Sequence, residues 1–341
     1  MRAAVYVGDR RIATEDRPLP ELGPHDALVE VSHCGVCGTD LHLVLEGMGP
    51  AGSIGGHEYS GRIAALGRAV RGWALGDAVV GGPGPGCGRC RHCREGRPSL
   101  CPGRAALGAG GFQGAFAEYT RSAAASLVRL PEDLRLRTAA LCEPLAVALH
   151  ALTRSGVGPG ARALVTGAGP LGLLVIAALR ARGVEDVTAS EPAPRRLERA
   201  GAVGARALRR PEDLATPPMP FDRVEEPFDA AFECSGSPRA MESALGQLRG
   251  GGTLVLVGTG MRRPKLDHNR ILLNELVVTG AYNYDADGFE EALALLRSGA
   301  LPSERLIEPD DVPLEGLLPA MERLAAGELA GKVLIAPREV A

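Results

Sequence analysis

No excess of either charge marks this chain: 38 Lys and Arg stand against 41 Asp and Glu, a net charge of −3 over 341 residues. A balance that close gives nucleic acid or an anionic membrane surface nothing to attract, so small-molecule chemistry is the expectation. Long apolar runs are missing too. The longest stretch without a charged residue, Ala163–Leu179, is broken by Gly-Ala-Gly-Pro and is no membrane span. The opening MRAAVYVGDRRIATE holds no apolar segment of the secretory kind, so the expectation is a cytoplasmic protein with no membrane and no nucleic-acid partner. Lysine is nearly absent, with Lys265 and Lys332 alone, a scarcity that reads as base composition of the gene rather than as mechanism. The 46 Gly and 26 Pro follow no collagen period, and 45% hydrophobic with 23% charged residues excludes wholesale disorder. At roughly 100–200 residues per domain the length gives about two domains, each able to bury a core without disulfide staples.

Residues 1–135 read as short alternating segments such as Ala27–Val31 and Tyr59–Ala65, punctuated by Gly and Pro, which predicts a β-rich domain. From about Thr138 the texture changes to an Ala/Leu helix, a strand Ala163–Val165, a glycine turn, a helix Leu171–Arg182, a strand Asp186–Ala189 and a helix around Arg195–Ala200. Strands Asp229–Phe232, Thr253–Val257 and Leu276–Thr279 follow, with a helix between the first two and another over Asp285–Ser298. Such alternation implies a parallel sheet with right-handed crossovers. Arg209–Pro227, with five prolines, predicts a surface loop, and the tail through Leu306–Ala336 has to dock back on one of the domains.

Eight cysteines without an export signal read as metal ligands or thiols rather than a disulfide framework. Cys87, Cys90, Cys93 and Cys101 fall within fifteen residues of a Gly/Pro/Arg-rich loop, where four thiolates can converge on one tetrahedral zinc. Reduced structural thiols and an iron–sulfur centre are the alternatives. Four thiolates close the coordination shell, so such a site is structural. A second, dispersed set is Cys37-Gly-Thr39-Asp40-Leu-His42, Gly56-His57-Glu58 and Cys142-Glu143-Pro144. Cys, His and carboxylate are the ligand mixture of a catalytic zinc that keeps one open position, although each residue alone is weak evidence and Cys34-Gly-Val-Cys37 also fits a redox pair. A third set is Gly167-Ala-Gly169-Pro170-Leu171-Gly172, between a predicted strand and a predicted helix. Gly167 permits the tight turn, Gly169 lets backbone approach a pyrophosphate at the helix N-terminus, and Gly172 allows close helix–strand packing. Glu191, nineteen positions after Gly172, ends the next strand, where a carboxylate accepts hydrogen bonds from an adenosine ribose.

Together these residues resemble the zinc-dependent medium-chain alcohol and polyol dehydrogenases, over essentially the whole chain. Gly56-His57-Glu58-x-x-Gly61-x5-Gly67-x-x-Val70 fits that family's zinc signature, and Gly76-Asp77-x-Val79, the four cysteines and Gly167–Gly172 follow in its order. The resemblance implies an α/β architecture, a doubly wound Rossmann sheet plus a β-rich GroES-like catalytic domain. The expected division is 1–150 for the catalytic domain with its zinc lobe, 151–285 for dinucleotide binding, and 286–341 for a segment returning to the catalytic domain. It implies two zinc ions per chain. Cys37 and His57 are catalytic ligands, Glu143 takes the third-ligand position with Cys142 as competitor, and Glu58 either ligates or exchanges with water. Asp40 orients His57, Thr39 and His42 match the proton-relay positions, and Arg196 packs beside the adenosine. NAD over NADP is the expectation from Glu191, with Arg195 and Arg196 as the complication. The reaction implied is hydride transfer between a secondary alcohol or polyol and the nicotinamide, giving a ketone, in a homodimer or homotetramer. A quinone or enoyl reductase of the same superfamily, and a non-catalytic zinc- and nucleotide-binding protein, are the competing readings. Gly47–Gly55 and Arg209–Pro227 depart from the family's usual pattern.

Overall fold

The computed structural model describes residues 1–83, 86–104, 113–215 and 217–338; residues 84–85 and 105–112 of the first expected domain, 216 of the proline-rich segment and 339–341 of the tail lie outside the described residues. The N-terminal part holds β1 (Arg2–Gly8), β2 (Arg11–Asp16), β3 (Asp26–Gly35), α1 (Gly38–Leu45), β4 (Ser53–Ile54), β5 (Glu58–Leu66), β6 (Ala78–Gly81), α2 (Arg91–Arg94), β7 (Tyr119–Ala123) and β8 (Val128–Arg129). α3 (Leu136–Ala139) and α4 (Cys142–Ser155) follow, two helices where the sequence suggested one from Thr138. α4 runs across the division expected at residue 150. The strands form two antiparallel sheets, β2-β1-β4 and β3-β5-β6-β8 with β7 on the other side of β3. Alternation in β3 puts Ala27, Val29 and Val31 on one face, in a core shared with Tyr59, Ile63 and Phe116.

The second unit alternates β9 (Arg162–Thr166), α5 (Pro170–Ala181), β10 (Asp186–Ser190), α6 (Pro194–Ala202), β11 (Ala207–Arg209), β12 (Phe228–Glu233), α7 (Pro238–Gly246), β13 (Leu248–Leu256), α8 (His268–Leu273), β14 (Val277–Gly280) and α9 (Gly288–Arg297). Its six strands are parallel in the order β11-β10-β9-β12-β13-β14, the doubly wound arrangement expected. α5 forms because Pro170 presets its first turn and the following run to Ala181 has no interior helix breaker beyond Gly172. Leu173, Leu174, Ile176 and Leu179 are fully buried between the sheet and α4, each such side chain contributing roughly 1.5–3 kcal/mol. β11 and α8 are additions to the elements read from sequence, and α9 begins at Gly288 rather than Asp285.

Beyond Arg209, which ends β11, the proline-rich segment carries one 3₁₀ turn, Pro211–Asp213, and otherwise no helix or strand among its described residues. The buried Arg270 clamps it to α8, Nη1 donating to the Asp222 carbonyl at 2.9 Å, and Asn274 Nδ2 donates to the Pro220 carbonyl at 2.8 Å. The tail, α10 (Ser303–Leu306), α11 (Leu317–Ala325) and β15 (Leu334–Ile335), returns to the first domain, where Leu334 pairs with Gly35 and Ile335 with Cys34. No described helix is long and apolar enough to cross a membrane.

Candidate active site and metal centres

β3 ends at Gly35 and α1 begins at Gly38, so the N-cap residue Cys37 sits at the rim of the first domain. Asp40, buried in the first turn, accepts the Cys37 N–H at 3.0 Å and the Gly56 N–H at 3.2 Å, and lies 3.8 Å from His57 Nδ1. One carboxylate therefore fixes both chain segments. Gly56 stands at φ +89°, and a Cβ there would meet Cys34 Sγ at 2.8 Å and the Phe116 backbone nitrogen at 2.9 Å, so the turn that delivers His57 requires glycine. The ligand atoms of Cys37, His57 and Glu58 all lie within 4.8 Å of one another.

Glu143, at the start of α4, is buried beside this group. Burial pushes its carboxyl up to about 7, opposed by the charge of His57 and reinforced by that of Glu58. Burial also opposes protonation of His57, but the charges of Asp40, Cys37 and Glu143 outweigh it and raise its pKa well above the ordinary value. Cys142 turns away, its thiol 3.6 Å from the Phe289 carbonyl oxygen. Three buried carboxylates and a thiol thus gather around His57 and one lysine, a donor set with an excess of anionic groups that a dication satisfies. The residues present fit zinc.

The lysine is Lys332, to which the sequence reading gave no role. Its Nζ lies 2.8 Å from Glu58 Oε1 and 2.7 Å from Oε2 and donates to the Val36 carbonyl at 3.2 Å, with Lys332 3% and Glu58 1% exposed. In a chain that uses arginine almost everywhere, a retained lysine was the available signal. An ammonium fits where Gly35 leaves room: a methyl at Gly35 would meet Lys332 Cδ at 3.0 Å and collide with Glu58.

Thr39 and His42 share α1 with Cys37. Thr39 Oγ1 lies 3.8 Å from Cys37 Sγ; His42 places Nδ1 2.9 Å from Glu46 Oε1 and Nε2 3.3 Å from the Thr259 carbonyl oxygen. Thr259 follows β13, so His42 bridges to the second domain. At the β9–α5 junction Gly167 takes φ +87°, and a Cβ there would meet Ser235 Cβ at 2.7 Å; one at Gly172 would collide with the Gly167 carbonyl. Gly169 is different. A methyl there meets nothing nearer than Arg196 Nη1 at 3.8 Å, so the open space above this turn is left by the protein's own packing, at the N-terminus of α5 where an anion is favoured. Glu191, buried at the end of β10, accepts the Ala168 N–H at 2.8 Å and the Ala193 N–H at 3.0 Å. Arg196 Nε donates to the Leu329 carbonyl at 2.9 Å and its Nη2 to the Leu324 carbonyl, while Arg195 Nη2 lies 3.3 Å from Glu308 Oε2.

The sulfurs of Cys87, Cys90, Cys93 and Cys101 also converge within 4.8 Å of one another, where a tetrahedron with Zn–S near 2.3 Å asks for sulfurs about 3.8 Å apart. Backbone N–H groups support them: Cys87 N–H donates to Cys101 Sγ at 3.2 Å and Cys93 N–H to Cys90 Sγ at 3.5 Å. N–H groups of Arg89 and Cys90 pull the Cys87 thiol down to about 6, whereas burial and the neighbouring Cys90 thiol push Cys93 up to about 12. Four thiols this close cannot all ionise without a cation, and a thiophilic dication resolves the conflict.

Comparison with known proteins agrees with this geometry. Residues 23–132 match the alcohol dehydrogenase GroES-like domain and residues 170–298 the zinc-binding dehydrogenase domain. The chain is 34% identical over 330 residues to sorbitol dehydrogenase of Bacillus subtilis (strain 168), covering 95% of this chain and 93% of that protein. Among solved structures it superposes with a TM-score of 0.86 and 30% identity on 2R,3R-butanediol dehydrogenase from Bacillus subtilis, covering 99% of both chains. The same score and identity hold for a zinc-binding dehydrogenase from Sinorhizobium meliloti 1021 bound to NADP, covering 98% of this chain and 99% of that one.

Proposed function

The chain belongs to the zinc-dependent medium-chain alcohol and polyol dehydrogenases, and on that premise we propose that it oxidises a secondary hydroxyl of a polyol, diol, sugar or cyclitol to a ketone with NAD. It is an oxidoreductase acting on CH–OH groups of small-molecule alcohols, with zinc and a nicotinamide cofactor. The observation that carries the proposal is the convergence of Cys37, His57 and Glu58 on one point beside Thr39 and a histidine that reaches the second domain. The quinone or enoyl reductase and non-catalytic readings leave that convergence without a purpose.

In this reading Cys37, His57 and Glu143 hold the catalytic zinc, and Glu58, paired with Lys332, either ligates it directly or exchanges with water. Bound zinc supplies Lewis acidity that lowers the pKa of a substrate hydroxyl, and bound nicotinamide supplies the hydride acceptor. Asp40 orients His57. Thr39 would relay the hydroxyl proton, accepting it while giving up its own, toward His42 and solvent. The domain division follows the same reading: 1–150 with the returning segment 286–341 carries the chemistry, and 151–285 holds the cofactor through Gly167, Gly169, Pro170, Leu171, Gly172, Glu191 and Arg196. The lobe of Cys87, Cys90, Cys93 and Cys101 holds a second, structural zinc. A cytoplasmic location suits it, because these thiols stay ligands only where they stay reduced. A homodimer or homotetramer is supported by the open edge at β14, where Leu272, Leu273 and Val277 are 71%, 58% and 51% exposed. Initial rates of NADH formation across secondary alcohols, diols, sugars and aminocyclitols, with both cofactors, test the substrate class; no turnover with any of them rejects it.

Cofactor preference rests on Glu191, since the 2′-phosphate of NADP brings nearly two negative charges against a buried carboxylate. Arg195 is turned to Glu308 and Arg196 to the carbonyls of Leu324 and Leu329, so they offset the carboxylate only in part, through the Arg196 charge that Glu191 attracts. The parent is expected to favour NAD in kcat/KM by about tenfold or more, and Glu191→Ala to shrink that ratio. A parent that prefers NADP, or an unchanged ratio in the variant, contradicts the assignment. For the lobe, Cys90→Ser is expected to lose one zinc per chain and lower the melting midpoint by on the order of 5 °C, because structural zinc contributes directly to folding. Melting like the parent, with zinc unchanged, shows that the lobe is no metal site.

A further inference from the structure

The four-cysteine lobe is tied to the neighbourhood of Glu143 by contacts that the proposed function does not use. Between Cys93 and Cys101, Arg97 Nε donates to Asp285 Oδ2 at 3.0 Å and Ser99 Oγ donates to Asp285 Oδ1 at 2.6 Å. His150, on the helix that begins with Cys142 and Glu143, brings Nδ1 to 3.6 Å from Asp285 Oδ2. Ser99 and His150 are buried, so Asp285 is a junction among the lobe, α4 and the segment between β14 and α9. Its neighbour Tyr284 stacks on Phe289 with ring centroids 4.8 Å apart and lies under the Arg104 guanidinium, 5.1 Å from the ring centre and three residues beyond Cys101. The Tyr284 hydroxyl faces the active site: a methyl placed on Gly82 would meet Tyr284 Oη at 3.0 Å and Glu143 Cγ at 2.9 Å. A phenol is neutral near pH 7, so this hydroxyl is available as a hydrogen-bond donor. The segment is strained on both sides of this pair, with Asn283 at φ 53° and Asp287 at φ 65°. Left-handed non-glycine residues persist only where surrounding contacts fix the chain, and Asp285, between these two, is held by Arg97 and Ser99 of the lobe and by His150 of α4.

We propose that the four-cysteine lobe sets the position of Tyr284 against the alcohol substrate through Asp285, so that Asp285 is a positioning residue and the Tyr284 hydroxyl contacts the substrate. This deepens the proposed function and rests on it. Substrate affinity then depends on a lobe that holds no substrate: Arg97 and Ser99 grip Asp285 from one side while Arg104 covers Tyr284 from the other.

Steady-state kinetics and hydrogen–deuterium exchange on the zinc-loaded full chain test it. Asp285→Asn is expected to raise KM for the best alcohol about tenfold while kcat, KM for NAD and zinc per chain stay within about twofold. Arg97→Met is expected to do the same, and the double variant no more than either alone. Ser99→Ala, a milder change to the same junction, gives a smaller rise in the same direction and serves if Asp285→Asn does not fold. Exchange in the 281–289 peptide is expected to rise in Asp285→Asn and in Cys90→Ser, with 162–176 unchanged. An alcohol KM that does not move in any of these variants, or a 281–289 peptide indifferent to loss of the lobe zinc, overturns the proposal. A parent that oxidises no alcohol defeats the proposed function instead, and the exchange comparison still decides whether lobe and segment are coupled.

Discussion

Replacing Cys37 by Ser is expected to lower kcat/KM by about a thousandfold or more and to reduce zinc from two toward one per chain, with the fold retained. A serine hydroxyl stays protonated at neutral pH and is a poor zinc ligand, so the site loses an anionic donor and the Lewis acidity that depends on it, a contribution of several kcal/mol. The fold survives for a local reason. Cys37 is the N-cap of α1, half-buried, and its backbone N–H is held by Asp40. Serine is a better N-cap residue than cysteine and leaves that bond in place. Metal analysis and a melting curve on one preparation separate loss of the ion from loss of the fold. Full activity with two zincs bound would sink the ligand assignment.

Lys332→Met is expected to cost about 3–5 kcal/mol of stability, the size of effect seen when one partner of a buried ion pair is removed and the other is left uncompensated. Both partners are nearly inaccessible, so solvent does not screen the loss. The Glu58→Gln, Lys332→Met double variant is expected to recover most of it, because the carboxylate that Lys332 had compensated is then neutral. Denaturant midpoints for the two single variants and the double read this directly. A single variant within about 0.5 kcal/mol of the parent would mean that Lys332 is not the group compensating Glu58.

What was legible in the sequence was local. The glycine turn at Gly167–Gly172, the cysteines from Cys87 to Cys101 and the Gly56-His57-Glu58 run each carry their chemistry within a few residues, and the glycine turn falls between the strand and the helix expected to flank it. What was illegible joins distant segments with no motif. Lys332 meets Glu58 across 274 residues, His42 meets Thr259 across 217, and Arg97 meets Asp285 across 188. β11 escaped notice because its three residues show no alternation and two of them, Leu208 and Arg209, are exposed at the sheet edge. α9 starts three residues later than its periodicity suggested because the Asp285 carboxylate is taken by the lobe and Asp287 adopts the left-handed conformation. The same long-range ties that defeat local reading are the ones on which stability and substrate positioning depend.

On the proposed function, a zinc held by Cys37 and His57 makes this chain an alcohol dehydrogenase. The most direct test is NADH formation from a secondary alcohol or polyol by one preparation, followed before chelation, after chelation and after zinc is returned, with zinc per chain measured at each stage. The expected result is turnover with two zincs, none once the catalytic zinc is gone and the lobe zinc remains, and recovery on re-addition. Turnover that persists after the Cys37 and His57 site has been emptied would contradict it.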